Sequence, residues 1–325
     1  MRHFLFEFIT GGGLADHSLS ESLVKEGDVM LQTLLNELSG IEGSEISFTR
    51  DSRLSVIKNN AEQFLVENKI EEKLPELLKK SDVSWLIAPE TNDCLARYTE
   101  LFIKHGKRFI GSSPAAIRIT ASKWITNKKL SEAGIKVVET RWLTEAVPKS
   151  KTGWIIKPDD GVGSENAFLV KDEKKLIEIV EANEIKSRVV QPYMEGNHMS
   201  MSLLVFEGDV QLLACNKQYI DIKNGLIKLT AIGVNESLLF KNDMLQLAKK
   251  IVTTIPGLAG YIGVDLIESE KKLYVVEVNP RFTTAYAGIP ESIGCNVAAK
   301  ILNTFINNKL PDIDLTSAKP VIINI

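Results

Sequence analysis

Two short segments near the C-terminal end constrain this chain most. Gly263-Val264-Asp265-Leu266-Ile267 is followed, after a charged turn, by Leu273-Tyr274-Val275-Val276-Glu277-Val278-Asn279-Pro280-Arg281-Phe282. The pattern reads as adjacent strands joined by a hairpin. The first carries an acid; the second carries a carboxylate, an amide and an arginine at alternate positions. Side chains two apart on a strand share a face, so Glu277 and Asn279, with Arg281 next in the series, should look one way beside Asp265. Surface charge on a solvated hairpin would be the simpler explanation. Yet Glu277 and Asn279 interrupt a run whose other members are apolar, where a charge is costly unless paired or metal-bound. Hard oxygen donors beside a fixed guanidinium suit magnesium-bound phosphate.

With 325 residues, the chain can bury a large core and divide into two or three domains. A net charge of −3 with no basic block argues against a nucleic-acid surface. The apolar runs are too short to span a bilayer. The segment from Met1 to Phe8 lacks the apolar centre and small-residue cleavage site of a signal peptide. Cys94, Cys215 and Cys295 are odd in number, lack metal-ligand spacing and read as reduced thiols. A cytoplasmic enzyme without membrane contact is the expectation.

Along the chain, residues 2–9 read as a buried strand ending in Thr10-Gly11-Gly12-Gly13. A helix is expected over Ser22–Leu38, a strand over Glu45–Arg50, a helix over Lys69–Lys80 and a strand over Val83–Pro89. Asn92–His105 reads as a helix with Asn92 as cap and Gly106 as stop. This rhythm predicts a parallel α/β domain, whose ligands bind beyond the carboxyl ends of strands. The Gly11–Gly13 turn and Glu90 lie at two such ends. The triple glycine lacks a dinucleotide or P-loop spacing; it suits a tight turn as well as an anion cradle, and with Glu90 it is assigned to the second substrate. Helical segments follow over Pro114–Ala133, then short strands with a helix at Glu173–Ala182 as far as Val190. Longer strands are expected over Met199–Phe206, Val210–Tyr219, Leu226–Val234, Tyr261–Glu268 and Leu273–Val278, with a helix at Ser237–Thr254. That is an antiparallel-rich α+β domain.

Three further stretches carry candidate chemistry. In the segment from Gly153 to Asn166 a buried strand ends in Lys157 and runs into a loop containing Gly161, Gly163 and Ser164. A lysine there can reach a phosphate as a point charge, and small residues let backbone amides close over it. A hairpin with a snorkelling lysine has the same sequence. From Gln191 to His198 a strand enters a connector containing Pro192, Tyr193, Met194 and Gly196. Extended backbone there could pair with a purine edge and His198 could contact a ribose; an interdomain hinge would look alike. Lys217, on a long strand, is equally consistent with a solvated lysine.

Taken in order, Lys123, Lys157 with its glycine loop, the Gln191–His198 connector, Asp265 and Glu277-x-Asn279-x-Arg281 resemble the ATP-grasp superfamily. That superfamily includes D-alanine–D-alanine ligase, biotin carboxylase and carbamoyl-phosphate synthetase. The resemblance covers nearly the whole chain, and Glu277-Val278-Asn279-Pro280-Arg281-Phe282 is very like the carbamoyl-phosphate synthetase version. The opening Phe4-Leu5-Phe6-Glu7-Phe8-Ile9-Thr10 with its glycines also looks like the tyramine–glutamate ligases of methanofuran biosynthesis. The resemblance implies an ATP-grasp fold with three parts: an α/β domain over 1–116, a central lid lobe over 117–190 and an α+β lobe over 191–325. It implies that Lys123 and Lys157 hold ATP phosphates under the Gly161, Gly163 and Ser164 loop. Gln191, Tyr193 and Met194 would meet adenine and His198 the ribose. Asp265, Glu277 and Asn279 would hold one or two Mg2+ ions, with Mn2+ as an alternative. Arg281 would steady the acyl phosphate and the tetrahedral intermediate. The sequence departs from the pattern at Gln191, where an acid is usual, and at Gly263, where D-alanine–D-alanine ligase has an arginine. The oxyanion role therefore falls on Arg281, helped by Lys217. The implied activity is ATP-dependent joining of a small-molecule carboxylate, glutamate, to a tyramine-like or amino-acid amine, in an enzyme of a kind that is often a homodimer. A nucleotide-binding regulatory protein and a carboxylase or carbamoyl-phosphate former are the alternatives.

Overall fold

The computed structural model describes residues 1–145, 147–161, 167–181, 187–236 and 238–325. Strands β1 (Arg2–Glu7), β2 (Glu45–Asp51), β3 (Glu62–Val66), β4 (Val83–Ile87) and β5 (Phe109–Ile110) form a parallel sheet in the order β3-β2-β1-β4-β5. Every residue of β4, and all of β1 after Arg2, is buried, as strands covered on both faces must be. Helices α1 (Glu21–Ser39), α2 (Leu74–Lys80) and α3 (Cys94–His105) make three of the crossovers. Next come α4 (Pro114–Ala121) and α5 (Lys123–Glu132), capped by the Ser113 and Ser122 hydroxyls.

The second sheet is antiparallel. Its strands are β6 (Arg141–Trp142), β7 (Trp154–Pro158), β8 (Phe168–Val170), β9 (Arg188–Pro192), β10 (Asn197–Phe206), β11 (Asp209–Lys223), β12 (Leu226–Val234), β13 (Gly260–Ser269), β14 (Lys272–Asn279) and β15 (Val321–Asn324). The order is β14-β13-β10-β11-β12-β8-β7-β9-β6, with β15 also paired to β12. The remaining α-helices are α6 (Glu173–Glu181), α7 (Lys241–Thr254), α8 (Ile289–Ile293) and α9 (Val297–Asn307). No helix of the described residues is long and apolar enough to cross a membrane.

Most expected elements are present, with four differences. The helix expected from Lys69 is a short 3-10 turn at Ile70–Glu72, and α2 starts afresh at Leu74. Pro75 is tolerated in a first turn but not in a helix interior. Asn92 is not a cap: Asn92 and Asp93 both take left-handed backbone angles, and α3 begins at Cys94. Helix α7 starts at Lys241, after a turn closed by the Lys241 amide on the Leu238 carbonyl. Ser237 and Ala182, at the ends of two expected helices, lie outside the described residues. Strands β3, β5 and β15 and helices α8 and α9 were not expected.

One apolar cluster joins the two sheets. It contains Leu5 and Trp85 of the parallel sheet, Leu31, Leu34, Leu35 and Leu38 of α1, Tyr261 of β13, Phe282, Tyr286 and Ile301 of α9. Phe282 stacks on Tyr261 at 5.1 Å and meets Tyr286 edge-on at 4.7 Å. The Glu37 carboxylate of α1 accepts from the Tyr286 hydroxyl and the Val297 amide at the start of α9.

The end of β1 is built around a buried acid. Glu7 accepts from the Thr10 amide at 2.6 Å, the Thr10 hydroxyl at 2.7 Å and the Ile9 amide at 3.2 Å. Helix α1 passes against this carboxylate at Gly27, where a methyl group would stand 2.8 Å from Glu7 Oε2. Helix propensity alone would favour Ala over Gly by about 1 kcal/mol. The contact reverses that sign, so Gly27→Ala is expected to lower the melting temperature by several degrees in scanning fluorimetry; a rise would show that Glu7 gives way freely. Burial pushes the Glu7 carboxyl up to about 7, against the hydrogen bonds that favour its ionised form. Its folded pKa thus lies above the unfolded one, and the group's contribution to stability is lost as pH climbs through the window from about 4.5 to 7. The difference in unfolding free energy between the wild type and Glu7→Gln should therefore move by about 3 kcal/mol against the wild type between pH 4.5 and 8. Urea titrations of both proteins across that range check this; parallel pH profiles would refute it.

Candidate active site

β13 and β14 bring the acids together. Asp265 and Glu277 are direct cross-strand partners, and Asn279 pairs with Gly263. A bulge follows Asp265, where Leu266 pairs with Val275; bulges re-aim side chains beside functional sites. Asn279 Nδ2 donates to Asp265 Oδ2 at 3.3 Å and Gln218 Nε2, from β11, to Asp265 Oδ1 at 2.8 Å. Lys123, at the first position of α5, and Lys157, on β7, converge on the other acid: their Nζ atoms lie 3.6 and 3.8 Å from Glu277 Oε2. All three side chains are less than a fifth exposed. Lys123 Nζ also donates to the Gly161 carbonyl at 2.6 Å and the Asp159 carbonyl at 3.2 Å.

These contacts set the charges. Burial and then the facing Glu277 raise the Asp265 pKa. Burial pushes Glu277 the same way, but Lys123 and Lys157 outweigh it and hold Glu277 well below the ordinary carboxylate range. Burial, with neighbouring Lys123, lowers Lys157 to about 8 although Glu277 opposes the shift. A buried acid flanked by two lysines and facing a second acid is a site prepared for a polyanion and a cation together.

Arg281 leaves the end of β14 with its neighbour Phe282 wedged among aromatic rings. Its Nε donates to Glu90 Oε2 at 2.8 Å, and the pair is 13% and 5% exposed, so the contact is largely dry. Glu90 Oε1 is buried with no hydrogen-bond partner among the described residues. On the same loop, the Thr91 hydroxyl donates to the Asp160 carbonyl and the Asn92 amide to its carboxylate, which fastens the loop to the backbone beside Gly161.

A cavity of about 1020 Å³ collects these groups. Lys123, Lys157, Gly161, Gln191, Tyr193, Met194, His198, Asp265, Glu277, Asn279 and Arg281 all line it. Gln191 Nε2 donates to Thr140 Oγ1 at 2.8 Å, and the Tyr193 amide donates to the Gly153 carbonyl at 2.8 Å. His198 is half-buried, and burial lowers its pKa. The cavity continues past Arg281 to the end of β1, where Gly12 and Gly13 line it and Gly11 does not. The Gly11 and Gly13 amides are already engaged by the Glu7 and Phe8 carbonyls, so this turn is not an open anion cradle. Gly12 has φ of +96°, a conformation that glycine supplies without strain.

Three expected site residues lie off the cavity wall, and two lie outside the described residues. Lys217 is on β11 with Gln218, but neighbours on a strand face opposite ways. Gln218 reaches Asp265; Lys217 lies 3.6 Å from Glu236 and over the Tyr219 ring, away from the acids. Its assignment as a helper of Arg281 is corrected on that ground. Glu90 stands behind Arg281 rather than on the wall, and Gly11 is beneath the turn. Gly163 and Ser164 lie outside the described residues. Gln218 was missed although only one step from Lys217, since nothing fixed the phase of that strand. Glu26 of α1 and Thr284 were missed too: the Thr284 hydroxyl donates to Glu26 at 3.3 Å, and both line the cavity.

Comparisons with known proteins bear on the family and the fold. Residues 120–285 match the model of the ATP-grasp domain and residues 44–117 that of the pre ATP-grasp 3 domain. The tyramine–L-glutamate ligase of Methanocaldococcus jannaschii is 30% identical over 294 residues, spanning 87% of this chain and 83% of the relative. The enzyme of that name from Methanocaldococcus fervens is also 30% identical, over 87% and 88% of the two chains. An ATP-grasp superfamily protein from Archaeoglobus fulgidus superposes with a TM-score of 0.73 at 25% identity, covering 100% and 99% of the two chains. The chain belongs to the ATP-grasp family, as an ATP-dependent ligase that forms carbon–nitrogen bonds.

Proposed function

We propose that the protein joins the carboxylate of glutamate to a tyramine-like or amino-acid amine through an acyl phosphate. The observation that carries this reading is Glu277 held by Lys123 and Lys157 and facing Asp265, in one cavity with Arg281. The identity to tyramine–L-glutamate ligases supports the choice of substrates.

In this reading Lys123 and Lys157 hold the phosphates of ATP and offset charge on the transferred group. Gln191 and the backbone of Tyr193 and Met194 meet the base, and His198 the ribose. The Asp265 and Glu277 carboxylates with the Asn279 side-chain oxygen would hold Mg2+. Two facing carboxylates and an amide oxygen fit a hard cation that takes its other ligands from phosphate and water. When bound, the ion neutralises phosphate charge. Glutamate attacks the γ-phosphorus, giving γ-phosphoryl or α-phosphoryl glutamate and ADP. The amine then attacks the acyl carbon and phosphate leaves. Arg281, fixed by Glu90, faces the oxyanion that forms at that carbon. We place ATP between residues 117–190 and 191–325, and the acid and amine toward residues 1–116.

Lys157→Ala and Glu277→Gln should each lower glutamate- and tyramine-dependent ADP release by about 100-fold or more, with melting temperatures that still show a folded protein. Coupled-enzyme assays of ADP and mass spectrometry of the amide make the measurement. Turnover near that of the wild type in both variants would rule the assignment out.

A further inference from the structure

An alkyl amine reaches an enzyme at neutral pH as an ammonium ion, which has no lone pair with which to attack a carbonyl. A ligase of this kind therefore needs an acceptor for one proton on the side from which the amine arrives. Glu277 is engaged by two lysines, and Glu90 is bound to Arg281 behind the cavity wall. Of the other carboxylates on the cavity wall, Asp265 already accepts from Gln218 and Asn279, Glu7 from the Ile9 and Thr10 amides and Glu71 from the Tyr98 hydroxyl, while Asp16 and Glu72 are solvent-exposed. None of these is placed to take that proton.

One face of α1 is. Leu23, Glu26, Gly27 and Met30 all line the cavity, at the spacing i, i+3, i+4, i+7 that puts residues on one side of a helix. A carboxylate thus stands between two apolar side chains. Phe8 and Tyr98 also line the cavity, with ring centroids 5.5 Å apart in an edge-on arrangement. Glu26 accepts from Thr284, three residues beyond Arg281, and its charge acts on the Arg281 guanidinium. Its carboxylate therefore lies close to the group assigned to the reacting carbonyl.

We propose that Glu26 binds the ammonium group of the incoming substrate and takes its proton, and that Leu23, Met30, Phe8 and Tyr98 surround its body. The class of substrate is a primary amine on an apolar or aromatic body. This rests on the ligase reading above. The ammonium passes one proton to Glu26, and the freed lone pair forms the C–N bond at the acyl carbon. The C–O bond to phosphate breaks with its electron pair on the departing phosphate. That phosphate takes the second nitrogen proton, and Glu26 returns its own to solvent.

Hydroxylamine separates this role from the steps before it, because it is neutral at pH 7 and needs no base. With glutamate and ATP, Glu26→Gln should lose about 100-fold or more in amide formation from tyramine yet still form glutamyl hydroxamate from hydroxylamine. Leu23→Ala should raise KM for tyramine with little change in hydroxamate yield. Wild-type-like amide formation in Glu26→Gln, or an equal loss of amide and hydroxamate, would overturn the assignment of Glu26. Absence of hydroxamate from the wild-type protein would overturn the acyl-phosphate reading instead.

Discussion

The arrangement depends on one buried carboxylate. Glu277 is largely buried on β14, the edge strand of the antiparallel sheet, with two ammonium groups within 4 Å and a second acid directly across the ladder. Removing such charges from water costs several kcal/mol each, and the cost is recovered only when partners are close and fixed. Here the partners come from distant parts of the chain. Lys123 begins α5, anchored by the Ser122 cap, and Lys157 ends a strand. The local charge therefore cannot balance unless α5, β7, β13 and β14 are all in place. Asp265 is left with the least compensation, which is why burial drives it toward its neutral form. A cation and a polyphosphate would supply what both acids and both lysines lack, so the same imbalance that costs stability favours the ligand.

Arg281 extends that logic to the other end of the cavity. Its backbone is set by Phe282, which is locked between Tyr261 and Tyr286, and its guanidinium by Glu90 from the loop after β4. The arginine is thus held by both sheets. The next two residues of the Glu90 loop bond to Asp160, beside the carbonyls that Lys123 holds. One short loop consequently touches both the backbone that Lys123 holds and the Arg281 guanidinium. A shift of the parallel sheet relative to the antiparallel one would disturb both together.

The sequence was most legible where a periodic signal met a costly residue. Alternation in β14 placed Glu277 and Asn279 on one face, and the acid on β13 followed from the hairpin. The lysines were less legible: Lys157 at a strand end left a snorkelling hairpin equally open, and Lys123 stood out only through the resemblance to the ATP-grasp superfamily. Phase was lost where no costly residue fixed it: Lys217 and Gln218 are equally polar, and only the pairing of β11 with β10 shows which one reaches Asp265. Asn92 has the side chain of a cap, but its left-handed backbone follows from the hydrogen bonds of its loop to Asp160, a partner 68 positions away. Glu26 was hidden differently. A glutamate on an amphipathic helix ordinarily faces water, and only the approach of α1 to Thr284 turns it into a wall of the cavity.

That approach has its own cause in the chain. Gly27 is an unfavourable residue in the second turn of a long helix, and α1 tolerates it because Glu7 occupies the space a side chain would need. The close contact brings α1 onto the end of β1, which in turn carries its neighbour Glu26 to the cavity and Glu37, three turns on, to Tyr286 and α9. Glu7 pays its desolvation by organising the Ile9–Thr10 backbone, and so the glycine turn that follows. The opening motif of the chain therefore acts through packing: its acid sets the depth at which α1 lies, and that depth decides which α1 side chains reach the cavity.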